Sequence, residues 1–598
     1  MSPSSPSADR PGTDSARSTG DHDAAKSDAE IFDAVFEDIR TFNPLFGPYP
    51  LTDVESEPSA FQQLGAALLT KPSVALQRTA GLAIESAKIV LGLSGIEPSD
   101  DRRFRHPRYQ SNPVLRRVGQ QYLAWRETVH GYIDDLELSD GATRQSHFMA
   151  DLVTEAVAPT NSLIGNPEAI EEAIATRGKS LQRGFRNWLD DQANNGGMPS
   201  MVDTEPFEIG ETIAATPGEV VFRNEVLELI RYRPTTAKVR KRPMLVVPPQ
   251  INKYYILDLA PGRSLVEAAV AEGQQVFMVS WRNVTPDNRH WDMNFYVVSL
   301  LEAIDAILSL TKQTQLNMLG VCAGGITTAV LLGYLSAIDD DRVNAVTYLV
   351  TGLDWGASTL LASMISGSNS GPIVQRSQAA GMLAGRDLSQ LFAFLRPNDL
   401  VWNYWVNNYL MGKKPPAFDV LAWNVDSTNM PAGLHADFMT IASQNTLTMP
   451  DAVEVLGERV DLRKLTIDTY VVGGKTDHIT PWESCLGTIN MVGGDAQFVL
   501  CTSGHVQTMV SPPDNPKAKY LAIDRPRGAS GSSKSRERQF SPDSWLEEAT
   551  EHQGSWWTHW FEWIDQRSDS LVTAPEKLDS PDYPSLGPAP GTYVHQTA

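Results

Sequence analysis

Apolar positions fall into two regimes along the chain. From about residue 31 to 181 they recur at helical spacing with almost no strand signal. Pro72 opens a helix whose stripe Leu76, Ala80, Ala83, Ala87 and Val90 is expected in a core or against another subunit, with an apolar surface as a further reading. Asn112-Pro113 breaks the pattern before a second helix over 120–130, and Asn194-Asn195-Gly196-Gly197 marks a boundary. Beyond Phe207 short apolar runs alternate with amphipathic ones. Strands are expected over 220–232 (one or two), 244–247, 276–280, 316–319 and 343–351, with helices over 264–272, 296–311 and 326–338. Such alternation predicts a mainly parallel sheet covered by helices.

The next convincing strand is 468–472. Ordinary connections run about 2–6 residues, so the intervening stretch must be an inserted unit. It leaves the C-terminal edge of the sheet and is expected to cap it. Its aromatics Trp402, Tyr404, Trp405, Tyr409 and Trp423 read mostly as packing, with one or two lining a substrate channel. The sheet resumes at 468–472 and 497–501; 525–541 reads as a mobile loop and 545–563 as a Trp-heavy helix. The domain plan is therefore a disordered tail 1–28, a helical N-terminal domain 29–206, and a catalytic domain 207–598 with its cap at about 352–466.

Composition narrows the class. A formal charge of −22 argues against nucleic acid and gives no polybasic membrane anchor. Three cysteines suit a reducing cytoplasm rather than a disulfide framework. Residues 1–28 lack the apolar core of a signal peptide. No apolar run approaches about 18 residues, so no transmembrane segment is expected.

The chemistry centres on Gly320-Val321-Cys322-Ala323-Gly324, where an apolar strand runs into an amphipathic helix. Gly-x-Cys-x-Gly at a strand-to-helix turn is the spacing of a nucleophile elbow, with a thiol where serine is usual. A helix N-terminus favours negative charge, which suits a thiolate. Asp477 follows one later strand and His505 the next, so nucleophile, acid and histidine appear in the chain order of an α/β-hydrolase fold. In that arrangement His505 moves the thiol proton and Asp477 orients the imidazole. The oxyanion needs two backbone donors. Ala323 N–H is one; the other comes from Pro248-Pro249-Gln250-Ile251-Asn252, where the prolines have no N–H and Ile251 is the choice. His478 is either a second catalytic group or support for its loop. Cys485 and Cys501 read as ordinary buried cysteines. No metal-ligand spacing or phosphate-cradling loop is present, and no metal or redox cofactor is expected.

Several stretches together resemble the polyhydroxyalkanoate synthases. They are Pro248-Pro249-Gln250-Ile251-Asn252-Lys253-Tyr254-Tyr255, Val279-Ser280-Trp281-Arg282-Asn283, the elbow, Leu395-Arg396-Pro397-Asn398-Asp399, Asp477-His478-Ile479-Thr480-Pro481-Trp482, Ser503-Gly504-His505 and Pro590-Gly591-Thr592-Tyr593-Val594-His595. The resemblance runs from about Asn43 to the C-terminus. It implies an α/β-hydrolase fold with an inserted cap behind a helical domain, and polymerisation of (R)-3-hydroxyacyl-CoA with release of CoA, the coenzyme being part of the substrate. It also implies Cys322 as thioester carrier, His505 as base and Asp477 as third member. A single type of subunit, a homodimer, a cap that opens, and residence in the cytoplasm on polymer granules follow from it too. Candidate substrate or CoA contacts are Lys253, Arg282, Arg396, Trp423 and His478. The residues 195–200 and 316–327 look closer to enzymes of medium-chain monomers, a lean that leaves monomer length open. Two alternatives stand: a thiol hydrolase of the same fold (thioesterase, lactone hydrolase or depolymerase), and a non-catalytic granule-coating protein.

Overall fold

In the computed structural model, which describes residues 63–64, 66–67, 70–356, 370–524 and 539–598, ten strands form one sheet. In chain order they are β1 (Gly218–Arg223), β2 (Leu227–Tyr232), β3 (Met244–Val247), β4 (Val276–Trp281), β5 (Leu316–Val321), β6 (Val343–Leu349), β7 (Asp468–Gly474), β8 (Ala496–Cys501), β9 (Lys519–Ala522) and β10 (Thr550–Gln553). Their spatial order is β1-β2-β4-β3-β5-β6-β7-β8-β9-β10. The run from β4 to β8 is parallel, and antiparallel strands extend both edges. β3 and β5 are buried at every position because helices cover both faces, which is why they read as continuous apolar runs rather than alternating ones. The chain leaves β3 for β4 on one side and returns to β5 on the other. That reversal opens a crevice at the carboxyl ends of β3 and β5, the place where open α/β sheets bind ligands.

Among the described residues before β1 there are helices and no strand: α1 (Pro72–Leu91), α2 (Pro113–Asp135), α3 (Asp140–Ala156) and α4 (Lys179–Asn194) are the longest. Asn112-Pro113 starts α2 rather than merely interrupting the pattern. Asn112 accepts from Val114 N–H and Leu115 N–H, and proline is tolerated in a first turn, so α2 extends well beyond 120–130 at both ends. The stripe of α1 is not core. Leu76 and Val90 are 73% and 67% exposed, while Ile89 is the residue turned inward. The expected tail 1–28 and residues 525–538 of the expected mobile loop lie outside the described residues.

The 545–563 stretch is not one helix. Helix Pro542–Glu548 gives way to edge strand β10, Gly554 turns the chain at φ 111°, and helix Trp556–Asp565 begins after it. Trp556, Trp557 and Trp560 are buried there, and Trp560 donates from Nε1 to Thr347 Oγ1 of β6. Among the described residues one helix, Met293–Thr311, is long and apolar enough to cross a membrane, with a mean hydropathy of 1.5. Glu302 and Asp305 interrupt its apolar sequence, which hides it from a search for an unbroken run. It is half buried and packs its inner side, including Leu300, Ile304 and Ile307, into the main core, which accounts for its composition.

The described part of the chain between β6 and β7 is tied both to the sheet and to the helices. Toward the sheet, Trp423 donates from Nε1 to Lys253 O (2.7 Å) and Thr428 Oγ1 donates to Ile251 O (2.8 Å). Toward the helices, α4 grips it. Arg183 Nε donates to Gly412 O (3.0 Å), Asn187 Nδ2 to Asn408 O (3.0 Å), and Tyr409 OH to Asp191 (2.7 Å). Gly184 is required at that contact, since a Cβ there would collide with the Tyr409 carbonyl. Trp405 donates to Asn161 O, so three of the aromatics, Trp405, Tyr409 and Trp423, are docking groups.

The C-terminal segment folds back onto β2. Glu228 is fully buried and accepts from Thr592 N–H (2.8 Å), Thr592 Oγ1 (2.7 Å), Tyr593 N–H (2.9 Å) and Arg223 Nε (2.8 Å). Removing a buried, fully engaged charge strands its partners. Glu228→Ala is expected to lower stability by about 3 kcal/mol in urea unfolding and to expose the segment after Pro588 to limited proteolysis. An unchanged cleavage pattern would mean the segment is held otherwise.

Candidate active site

Cys322 stands between β5 and helix Ala323–Ala337 with φ 50° and ψ −122°, a conformation side-chain-bearing residues rarely adopt. The surroundings enforce it. A Cβ on Gly320 would meet Gly325 Cα at 2.7 Å, one on Gly324 would meet the carbonyls of Pro248 and Val247 at 2.3 and 2.4 Å, and one on Gly325 would collide with Thr351. Helix and strand backbones therefore touch on both sides of the turn, and glycine is the residue that permits it. Cys322 N–H donates to Leu349 O (3.0 Å) and Thr351 Oγ1 to Cys322 O (3.3 Å), which pins the turn to β6. The sulfur-bearing side chain remains half-exposed, whereas Cys485 and Cys501 are buried.

The loops after β7 and β8 bring Asp477 and His505 together, both 7% exposed. His505 Nδ1 lies 2.6 Å from Asp477 Oδ2. Asp477 Oδ1 accepts from Ile479 N–H (2.8 Å) and Thr480 N–H (2.9 Å), and Oδ2 also accepts from Thr480 Oγ1 (2.9 Å). Thr480 was not singled out by sequence reasoning, although Asp-x-x-Thr is a side-chain turn signal. Burial alone would depress the His505 imidazole, but the Asp477 carboxylate, with Cys322 nearby, outweighs it and raises it to about 10. Burial would likewise raise Asp477; its imidazole partner and the Thr480 and Ile479 amides hold it low instead. Cys322 stands near enough to act on the charge of His505, which makes the three residues neighbours.

The two expected backbone donors belong to this turn and to the loop after β3. Ala323 opens the helix, and Ile251 sits in the loop that Gly324 touches through Pro248. Neither N–H has a hydrogen-bond partner among the described residues. Gln250 fixes that loop by donating from Nε2 to Thr327 Oγ1 (2.9 Å), and Trp281 Nε1 donates to Pro248 O (2.8 Å). In the sequence Gln250 stands out only as part of the loop motif, and Thr351 belongs to no motif.

The five candidate contacts separate. Lys253 is buried with its Nζ 2.7 Å from Asp426, so its charge is spent inside the fold. Trp423 is buried and bonded to the Lys253 carbonyl. Arg282 stacks over Tyr593 of the C-terminal segment. His478 is half-buried beside the line of three. Burial, with Arg396 and His505 nearby, pushes it down to about 4 against the pull of Asp477, so it is neutral at physiological pH. Arg396 pairs with Asp399 and keeps an exposed side. Among the described residues no cluster of side chains has metal-ligand geometry.

Comparison with known proteins agrees with this architecture. The family described as poly-beta-hydroxybutyrate polymerase (PhaC) N-terminus matches residues 100–269, and the alpha/beta hydrolase fold family matches residues 245–506. Poly(3-hydroxyalkanoate) polymerase 1 of Ectopseudomonas oleovorans is 41% identical over 96% of this chain and 99% of its own length. Poly(3-hydroxyalkanoate) polymerase 2 of the same organism is 45% identical over 85% of this chain and 89% of its own. The poly(3-hydroxyalkanoate) polymerase subunit PhaC of Cupriavidus necator is 36% identical over 84% of each. With likeness of this extent on a sheet that carries the thiol elbow at its crevice, the chain belongs to the poly(3-hydroxyalkanoate) polymerase family and has an α/β-hydrolase fold.

Proposed function

We propose that this protein polymerises (R)-3-hydroxyacyl-CoA into polyester, carrying the growing chain as a thioester on Cys322 and releasing CoA. What supports the reading is the His505–Asp477 pair near Cys322, itself at a strained elbow, in a chain whose relatives are named polymerases along nearly all its length. The Cys322 sulfur attacks the thioester carbonyl, the bond to the CoA sulfur breaks, and His505 passes the thiol proton to the leaving sulfur. Ala323 and Ile251 N–H groups receive the transient oxyanion. In elongation the 3-hydroxyl of another hydroxyacyl-CoA attacks the Cys322 thioester, an ester forms as the bond to the Cys322 sulfur breaks, the hydroxyl proton passes through an imidazole to that sulfur, and the lengthened CoA thioester then acylates Cys322 again with release of CoA. Both oxygens of Asp477 are engaged, which supports His505 as the proton acceptor in that step too. A thiol carrier suits the reaction because exchange between thioesters is nearly balanced, and a covered site disfavours water as acceptor.

The decisive assay offers (R)-3-hydroxybutyryl-CoA and (R)-3-hydroxyoctanoyl-CoA, measures thiol release, and weighs insoluble polyester against free acid. Polyester with both signals abolished in Cys322→Ala is the expected result, and the preferred substrate assigns monomer length. Free hydroxy acid alone would make the protein a thioesterase.

The buried pair has a pH signature. His505 is raised, so its contribution is complete below about pH 6.5, the ordinary imidazole value, and is lost as pH rises through about 10. Asp477 is lowered, so its contribution is complete above about pH 4 and is lost as pH falls further. The melting-temperature gap between wild type and Asp477→Asn should be widest between about pH 4 and 6.5 and narrow on either side. A gap independent of pH would show that the two groups do not titrate together.

A further inference from the structure

A cavity of about 450 Å³ lies between α3 and residues 395–399 of the inserted chain, apart from the Cys322 crevice. Three guanidinium groups line it, from Arg102, Arg144 and Arg396. In a chain of net charge −22 that convergence needs an explanation. Arg102 and Arg396 share a single carboxylate, Asp399, so the three guanidinium groups exceed the carboxylate paired with them by two charges. Arg144 makes no hydrogen bond or ion pair among the described residues, although its Nε is buried. The anions nearby do not serve it. Asp151 is engaged by Arg126 (2.9 Å) and His130 (3.0 Å), and burial raises the Glu155 carboxyl, weakening it as a counter-charge. His147 is committed as well, to Asp134 and His130. The cavity is tied to the reactive line through Arg396, which stands near enough to His478, the neighbour of Asp477, to act on its charge.

Resting on the function proposed above, we infer that this cavity binds the phosphate-bearing nucleotide end of the CoA thioester, with Arg144 as its free cation and Arg102 and Arg396 flanking it. The substrate carries its negative charge at that end alone, the pantetheine arm and acyl group being neutral. An acidic protein repels such a ligand unless cations are concentrated at one place. Planar guanidinium groups match phosphate oxygens in pairs, which favours arginine over lysine. The insertion and the helical region both contribute walls, so the nucleotide end would rest on residues that the hydrolase core alone does not supply.

The test uses full-length Cys322→Ala protein, which cannot turn over, and measures CoA and pantetheine affinity by calorimetry. CoA is expected to bind more tightly than pantetheine, and Arg144→Ala to weaken CoA by about tenfold while leaving pantetheine unchanged. Arg144→Lys should fall between, and ADP should displace CoA from the parent but not from Arg144→Ala. Equal affinities of the parent for CoA and pantetheine would overturn the inference. So would a CoA affinity indifferent to Arg144→Ala and Arg102→Ala, or a loss shared by pantetheine. These readings do not depend on catalysis: absence of polyester in the turnover assay would defeat the proposed function, whereas the calorimetry judges the cavity.

Discussion

The structure turns on one backbone contact, the approach of Gly324 to the carbonyls of Val247 and Pro248. It sets the first turn of the helix after Cys322 directly against the end of β3. Two consequences follow from that closeness. Cys322 is left at positive φ with its side chain half-exposed, and the loop that continues to Ile251 starts at the contact itself. One steric fact thus fixes both the turn at Cys322 and the start of that loop. The remaining hydrogen bonds around the turn, from Thr351, Gln250 and Trp281, hold the loops in the arrangement that this contact requires.

The parts that could be read from the residues were those with a local cause. Buried parallel strands are short apolar runs, and a strained elbow needs small residues at fixed spacing, so β3, β5 and the turn at Cys322 were visible. Asp477 and His505 were visible through chain order. What escaped reading depends on distant partners. The stripe of α1 has helical periodicity, but periodicity does not tell which side of an amphipathic helix meets the rest of the chain, and here Ile89 faces inward instead. Lys253 resembles a free cation until Asp426, far along the sequence, is placed beside it. The Trp-rich stretch looked like one helix because β10 is an edge strand of polar residues, made recognisable only by its pairing with β9.

Distant segments converge on the loop after β3. Thr428 of the insertion bonds the Gln250 and Ile251 carbonyls, Asp426 pairs with Lys253 and accepts from Tyr255, and Asn429 bonds Asn283 after β4. Asn283 N–H in turn donates to Gln596 near the C-terminus, whose segment Glu228 holds against β2. The insertion is itself gripped by α4. The helical region, the insertion and the last residues therefore act on the same few peptides, which explains why motifs so far apart in sequence belong to one resemblance.

This convergence bears on how a hydrolase-like site would favour transfer. A triad by itself does not choose between water and a second hydroxyl, since either acceptor gives up a proton to the same imidazole. The choice lies in what covers the thioester and in when the oxyanion donors are in place. The peptide that ends in the Ile251 carbonyl is held by the insertion through Thr428, and the next residue, Asn252, bridges Ser427. Displacing the insertion to admit a substrate would loosen the very loop proposed to supply an oxyanion donor. Acyl transfer would then be fast only when the cover has returned and water has been displaced, so access and reactivity are coupled by the hydrogen bonds of one loop.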